Sequence, residues 1–347
     1  MKFRTLGRSG VAVSELCLGT MTWGSQNSEA EAFEQMDHAT DQGINFFDTA
    51  EMYPTTPSTP ENQGLAETII GNWLKARGRR DEIVIGTKIV GKGFARIRDG
   101  AKISAKTLDL AVEGSLRRLG TDTIDLYQLH WPNRGSYAFR QHWAYDPSRH
   151  DRSEARADHE EIFAAMTRLV DAGKVRLFGL SNDSAWGLGQ YLRLAEIHGG
   201  PRVVTIQNEY SLMTRLFSLD LAEMCHHEDV GLMPYSPLAA GLLTGKYSGG
   251  AVPPGSRKSI KSDLGGRYTT RSAAVADLYV AAARKHGLDP AQMALAFTLC
   301  CKQVASTIIG ATNMDQLKTN IGASDVTLGD EVLAEIAAIT RANPMPY

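Results

Sequence analysis

The chain has 347 residues, a net charge of −2, and 43% hydrophobic against 22% charged residues. That balance is ordinary for a globular protein and gives no electrostatic case for nucleic acid or an anionic membrane as the main partner. No run approaches the ~20 apolar residues of a spanning helix, and the first residues lack the apolar stretch of a secretory signal.

The opening segment 2–13 reads as a short hairpin turned by Arg8, Ser9 and Gly10. A first core strand is expected in "SELCLGT" (14–20), followed by an amphipathic helix in "EAEAFEQMDHATDQG" (29–43). The alternation continues through strands "INFFDTA" (44–50), "EIVIGTK" (82–88), "IDLYQLHW" (124–131) and "LFGLSND" (177–183). Helical patterns lie between them in "GLAETIIGNWLKARG" (64–78), "KTLDLAVEGSLRRLG" (106–120) and "HEEIFAAMTRLVDAGK" (159–174). Several end in glycine after a basic or polar last turn, as helix C-termini do. The last strands are "VVTIQNEY" (203–210), "GLMPYSP" (231–237) and "STIIGAT" (306–312). Near-continuous apolar runs suit parallel strands buried on both faces. Eight β-then-α units predict a (β/α)8 TIM barrel, one domain over 1–347, with an N-terminal hairpin.

Four connections are long: 54–63, 90–104, 132–158 and 239–271. Each follows a strand, so all four should overhang the C-terminal face of the barrel as lids, binding loops or disordered segments. Cys17, Cys225, Cys300 and Cys301 show no metal spacing. The adjacent pair reads as packing in an apolar helix, and the cysteine usage fits a reducing, cytoplasmic setting. Adjacent His226 and His227 read as solvent-facing, so no metal is expected.

Polar residues gather where the strands end: Asp48, Lys88, His130, Ser181, Asn182, Gln207, Tyr235 and Ser236. In such a barrel that face carries the active site. Lys88 needs a counter-charge there, and Asp48 can supply it. Singly, these residues have structural readings: an ion pair closing the barrel, a satisfied histidine at 130, a loop aromatic at Tyr53. Together they suggest chemistry. A phenol, with a reference pKa near ~10, is a poor acid at neutral pH unless an ammonium favours its phenolate and a carboxylate holds that ammonium. With a neutral imidazole to orient a carbonyl, the four groups would protonate an oxygen whose carbon receives a hydride.

The stretches "DTAEMY", "YQLHWP", "GLSN", "IQNEYS", "YSPLAAGLLTGKY" and "IIGATNMDQLKTNIGAS" resemble the aldo-keto reductases over nearly the whole chain. Within that superfamily "TMTWGSQNSEAEA", "AEMYPTTPSTPENQGL" and "HGLDPAQMALAF" are similar to the bacterial Tas-type reductases. The resemblance implies a catalytic tetrad of Asp48, Tyr53, Lys88 and His130, with Tyr53 the general acid, and NADPH as cofactor. It implies that Ser181, Asn182 and Gln207 hold the nicotinamide carboxamide and that Tyr235 stacks on the ring. Ser236, Leu238 and Gly241 would cover the pyrophosphate. Lys246, Arg257, Gly310, Thr312, Asn313, Gln316 and Asn320 would surround the adenosine and its 2′-phosphate. "GATN" replaces the arginine-bearing version found in many members, which shifts the phosphate assignment towards Lys246 and Arg257. Asn313 also reads as a plain helix cap. Trp23, Met52 and Trp131 flank the tetrad as an apolar wall for a small carbonyl substrate, or else as rim packing. No G-x-G-x-x-G opens a helix after a strand, so an ordinary Rossmann site is not expected. The alternative function is a cofactor-binding sensor with little turnover, which the channel β-subunit-like reductases suggest.

Overall fold

In the computed structural model, which describes residues 1–347, the chain enters through an antiparallel hairpin of β1 (Phe3–Thr5) and β2 (Ala12–Ser14). A short helical turn at Gly7–Ser9, ended by Gly10 at φ 77°, joins the two strands. Gly7 has φ +50°, and a Cβ there would lie 2.5 Å from the carbonyl oxygens of both Val204 and Asp229. Only glycine permits that approach. The hairpin is thus pressed on the N-terminal end of the barrel, where Leu6, Val11 and Val13 join Phe46, Val84, Leu126 and Val204 in a small apolar cluster.

Eight parallel strands follow: β3 (Leu16–Gly19), β4 (Phe46–Asp48), β5 (Val84–Ile89), β6 (Ile124–Leu129), β7 (Val175–Ser181), β8 (Val203–Gln207), β9 (Gly231–Leu232) and β10 (Thr307–Ile309). They pair in the order β10-β3-β4-β5-β6-β7-β8-β9. The sheet closes where Leu232 N donates to Gln303 O (2.7 Å), Ala305 N to Leu232 O (2.8 Å) and Ile308 N to Pro234 O (3.0 Å). Closure leaves no strand edge unpaired. Every residue of β5 and β6 is buried, and each strand is apolar apart from a few polar residues, Thr87 and Lys88 in β5 and Asp125 and Gln128 in β6.

The helices are α1 (Glu29–Asp41), α2 (Leu65–Arg77), α3 (Ala105–Leu119), α4 (Arg152–Asp171), α5 (Ala185–His198), α6 (Asp220–Glu228), α7 (Arg257–Ile260), α8 (Thr270–Lys285), α9 (Pro290–Leu299), α10 (Met314–Ile321) and α11 (Asp330–Ala342). A capping box of Ser28 and Glu31 starts α1, while Gly78 and Gly120, both at φ 63°, end α2 and α3. None is long and apolar enough to cross a membrane.

Two expectations need correction. The long connection 132–158 stops at 151, because α4 begins at Arg152. Asp151 accepts from Ser153 N at 2.8 Å and Glu154 N at 2.9 Å, and this cap sets helical turns too polar to show an apolar stripe. Cys300 is exposed rather than packed, because α9 ends at Leu299 and leaves it on the cap.

Candidate active site

Asp48 is the last residue of β4, Lys88 lies near the end of β5, and His130 directly follows β6. Lys88 is fully buried, with its Nζ 2.7 Å from Asp48 Oδ2 and donating to Thr49 O at 2.6 Å. The other carboxylate oxygen, Asp48 Oδ1, accepts from Gln207 Nε2 at 2.8 Å and Gln128 Nε2 at 3.3 Å. Residues of four strands therefore fix one ion pair. Burial acts against the Lys88 ammonium, but Asp48 and then Tyr53 outweigh it and hold its pKa above the ordinary value.

Tyr53 stands over this pair, its ring centre 5.0 Å from Lys88 Nζ and its edge on the His130 imidazole, centroids 5.8 Å apart. Burial pushes the phenol pKa up, and the Lys88 charge only partly offsets it. The expected lowering below the usual phenol range is therefore not what this structure has: Tyr53 is 9% exposed, and desolvation of its phenolate dominates. Burial, reinforced by Lys88, drives the His130 pKa well below its ordinary value, so the imidazole is neutral. Its Nδ1 is buried without a partner. In a neutral imidazole one nitrogen donates and the other accepts, so with Nδ1 unprotonated Nε2 can donate to a ligand in the cleft.

Behind this floor, Asn182 Nδ2 donates to His130 O at 2.9 Å and to Ser181 Oγ at 3.1 Å, while its Oδ1 accepts from Tyr235 OH at 2.6 Å. Asn182 (φ 54°), Ser236 (φ 52°), Ala239 (φ 49°) and Ala240 (φ 58°) all adopt the left-handed conformation. Such strain persists only where surroundings over-determine it, and it collects at binding sites.

These groups open on a cleft of about 1320 Å³. Pockets for a single drug-sized ligand measure roughly 300–1,000 Å³, so this cleft is larger than one such ligand needs. Asp48, Met52, Tyr53, His130 and Trp131 line it, as do Asn182, Gln207, Tyr235, Ser236, Leu238 and Gly241. So do Lys246, Arg257, Gly310, Thr312, Asn313, Gln316 and Asn320. Gln207 spends its amide N–H on Asp48 and leaves Oε1 unpartnered. Burial, followed by the charge of Arg257, lowers the Lys246 pKa. Burial, followed by the charge of Arg267, lowers Arg257 to about 10. No carboxylate relieves either cation, and Arg257 Nε is buried without a partner. At the start of α10, Asn313 Oδ1 accepts from Gln316 N (3.0 Å), Thr312 N donates to Gln316 Oε1 (3.1 Å) and Asn320 Nδ2 to Gly310 O (3.1 Å). Asn313 does cap its helix.

Two residues fall elsewhere than expected. Trp23 is fully buried outside the cleft, with its indole N–H donating to Gln35 Oε1 at 3.1 Å, so it is core. Ser181 does not reach the cleft either: its Oγ donates to Gln207 O at 2.9 Å and props Asn182 from behind. Sequence reasoning missed Gln128, although its place two residues before His130 puts both on one face of a strand. It also missed Glu209, Arg140 and Arg267. Glu209 accepts from Arg267 at 2.7 and 2.9 Å and from Arg140 at 3.3 Å, tying two long loops to the end of β8.

Residues 15–341 match the model of the aldo/keto reductase family. The chain is similar to Protein tas of Escherichia coli (strain K12), 45% identical over 352 positions that cover 100% of this chain and 99% of that protein. It is 34% identical, over 96% of its length and 94% of the relative's, to the Bacillus subtilis (strain 168) protein named uncharacterized oxidoreductase YrpG. These matches span the barrel from β3 to α11, and the chain belongs to the aldo/keto reductase family.

Proposed function

We propose that the protein reduces an aldehyde or ketone to the alcohol with NADPH, Tyr53 serving as general acid. Family membership makes it an oxidoreductase. The finer reading rests on one observation above all, the buried Asp48–Lys88 pair set under Tyr53 with a neutral His130 at its edge.

Bound NADPH would supply a hydride from nicotinamide C4 to the carbonyl carbon. Gln207 Oε1 is free to accept from the carboxamide, and Lys246 and Arg257, two cleft cations without counter-ions, suit the phosphates. His130 donates from Nε2 to the carbonyl oxygen and aims it at Tyr53. Because burial raises its pKa, Tyr53 stays protonated at neutral pH and holds the acid form before reaction. As negative charge develops on the oxygen, Tyr53 releases its proton to it, an alkoxide being a far stronger base than a phenolate. Lys88 then stabilises the phenolate left behind, and Asp48 keeps the ammonium in place.

The test is NADPH oxidation followed optically against a panel of small aldehydes and ketones. Turnover on some members within the enzyme range of ~1–10³ s⁻¹ is expected, and values below ~10⁻² s⁻¹ on all of them would favour the sensor reading.

A further inference from the structure

Besides Lys246 and Arg257, the cleft is lined by Lys261, Arg267 and Arg140, and the last two meet at one carboxylate. Glu209, whose side chain is 9% exposed, gives both carboxylate oxygens to Arg267 at 2.7 and 2.9 Å, and Tyr347 OH also donates to it at 3.2 Å. Arg140 receives a single 3.3 Å contact with the same carboxylate. Two guanidinium groups thus share one carboxylate. One positive charge is left over, and it falls on Arg140, most of whose N–H donors have no partner.

Arg140 is built into place. It and Phe139 are consecutive non-glycine residues in the left-handed region, at φ 64° and φ 55°. Gly266 passes so close that a Cβ there would sit 3.1 Å from Arg140 Nε. The Phe139 ring packs edge-on against Trp131, centroids 5.9 Å apart, and both aromatics line the cleft beside Arg140. Burial and the neighbouring Arg267 both work against the Arg140 charge, a cost that an anionic ligand would relieve. The cluster is also near the proposed chemistry. Tyr235 pairs with Glu209 through a backbone bridge, and the charges of Glu209, Arg267 and Arg140 act on it together with Tyr53.

We infer that the carbonyl substrate carries a carboxylate and that Arg140 binds it. The guanidinium fork matches a planar carboxylate. The inference rests on the reductase reading and deepens it by naming the substrate class. The flat walls of Trp131 and Phe139 would hold the carbon skeleton between the anion and the carbonyl.

The test compares kcat/KM for 4-carboxybenzaldehyde and benzaldehyde, and the affinity of 4-acetylbenzoate and acetophenone for the NADP⁺-saturated protein, in which no hydride is available. One charge-assisted hydrogen bond corresponds to a preference of about 10- to 150-fold for the carboxylated member, carried mainly by KM. Arg140→Gln should collapse that ratio towards one, and Arg140→Lys should restore part of it. Equal kcat/KM and equal affinity for both members in the wild-type protein would overturn the inference while leaving the reductase reading standing. If neither aldehyde is turned over, the reductase reading is decided on the wider panel, and the affinity ratio alone decides whether the cleft prefers the anion. A carboxylate preference that survives Arg140→Gln unchanged would remove Arg140 from the role.

Discussion

Replacing Lys88 by methionine should cost both stability and activity, and the two losses separate a structural ion pair from a catalytic one. The side chain is fully buried, and methionine nearly matches its volume, so the main effect is loss of the ammonium and of its bonds to Asp48 and Thr49. Breaking a buried pair costs ~3–5 kcal/mol, because the surviving charge is left uncompensated. Asp48 would keep its bonds from Gln207 and Gln128, so the lower end, about 3 kcal/mol, is expected. Turnover per folded molecule should fall by ~10²–10⁴, the usual worth of an assisted proton transfer. Adding Asp48→Asn to Lys88→Met removes the stranded charge and should recover stability without recovering activity. Urea unfolding and NADPH oxidation on the single and double variants supply all the terms. The Lys88 pKa is raised on folding, so its stabilisation is complete below the unfolded value of about 10.5 and is lost as pH climbs through the folded value. The stability gap between wild type and Lys88→Met should therefore stay constant through neutral pH and close only under strong alkali. A folded Lys88→Met protein with wild-type turnover would refute the catalytic argument.

Tyr53→Phe should lower carbonyl reduction by ~10²–10⁴-fold while NADPH affinity stays within about threefold; activity close to wild type would exclude Tyr53 as the acid. Lys246→Ala combined with Arg257→Ala should bring the NADPH and NADH dissociation constants together by weakening NADPH, about 10- to 150-fold per residue, as read by fluorescence titration. A wild-type protein that binds both cofactors equally contradicts that assignment. His130 has a depressed pKa when folded, so below about 6.5 the unfolded chain binds a proton that the folded one does not, and stability falls with pH. Wild type should lose up to ~1.4 kcal/mol per pH unit more than His130→Gln in acid, and parallel urea midpoints for the two proteins would show that His130 is not buried neutral.

All eight barrel strands could be read from the chain, because a strand buried on both faces is mostly apolar, and in β4, β5 and β6 the polar residues Asp48, Lys88 and Gln128 stand near its C-terminal end. What escaped depends on distance or depth. The first turns of α4 are carried by a cap and by polar residues, with no periodic apolar stripe to reveal them. Trp23 lies next to a βα loop and reads as rim, and its full burial and its bond to Gln35 of α1 show that it faces inward. Glu209 meets Arg267 and Arg140 across 58 and 69 residues, from loops whose course no local pattern sets. The direction of the Tyr53 pKa was likewise illegible: Lys88 could be identified as its partner, but which of two opposed effects wins depends on how deeply the ring is buried.

The same contrast orders the site itself. Its floor is over-determined, since both oxygens of Asp48 are bonded and the groups bonding them come from three other strands of a closed barrel. In the proposed reaction, groups held so tightly would need little reorganisation as charge moves from substrate oxygen to phenol, which is where electrostatic catalysis gains most. The roof is held differently. Arg140 and Arg267 arrive from separate connections and Tyr347 from the segment after α11, and all three converge on the single carboxylate of Glu209. A roof assembled from loops on one charged anchor can vary its outer residues without disturbing the strands beneath it. On the proposed reading, chemistry common to many carbonyl compounds belongs to the floor, and the choice among those compounds belongs to the residues above it, where Trp131, Phe139 and Arg140 line the cleft.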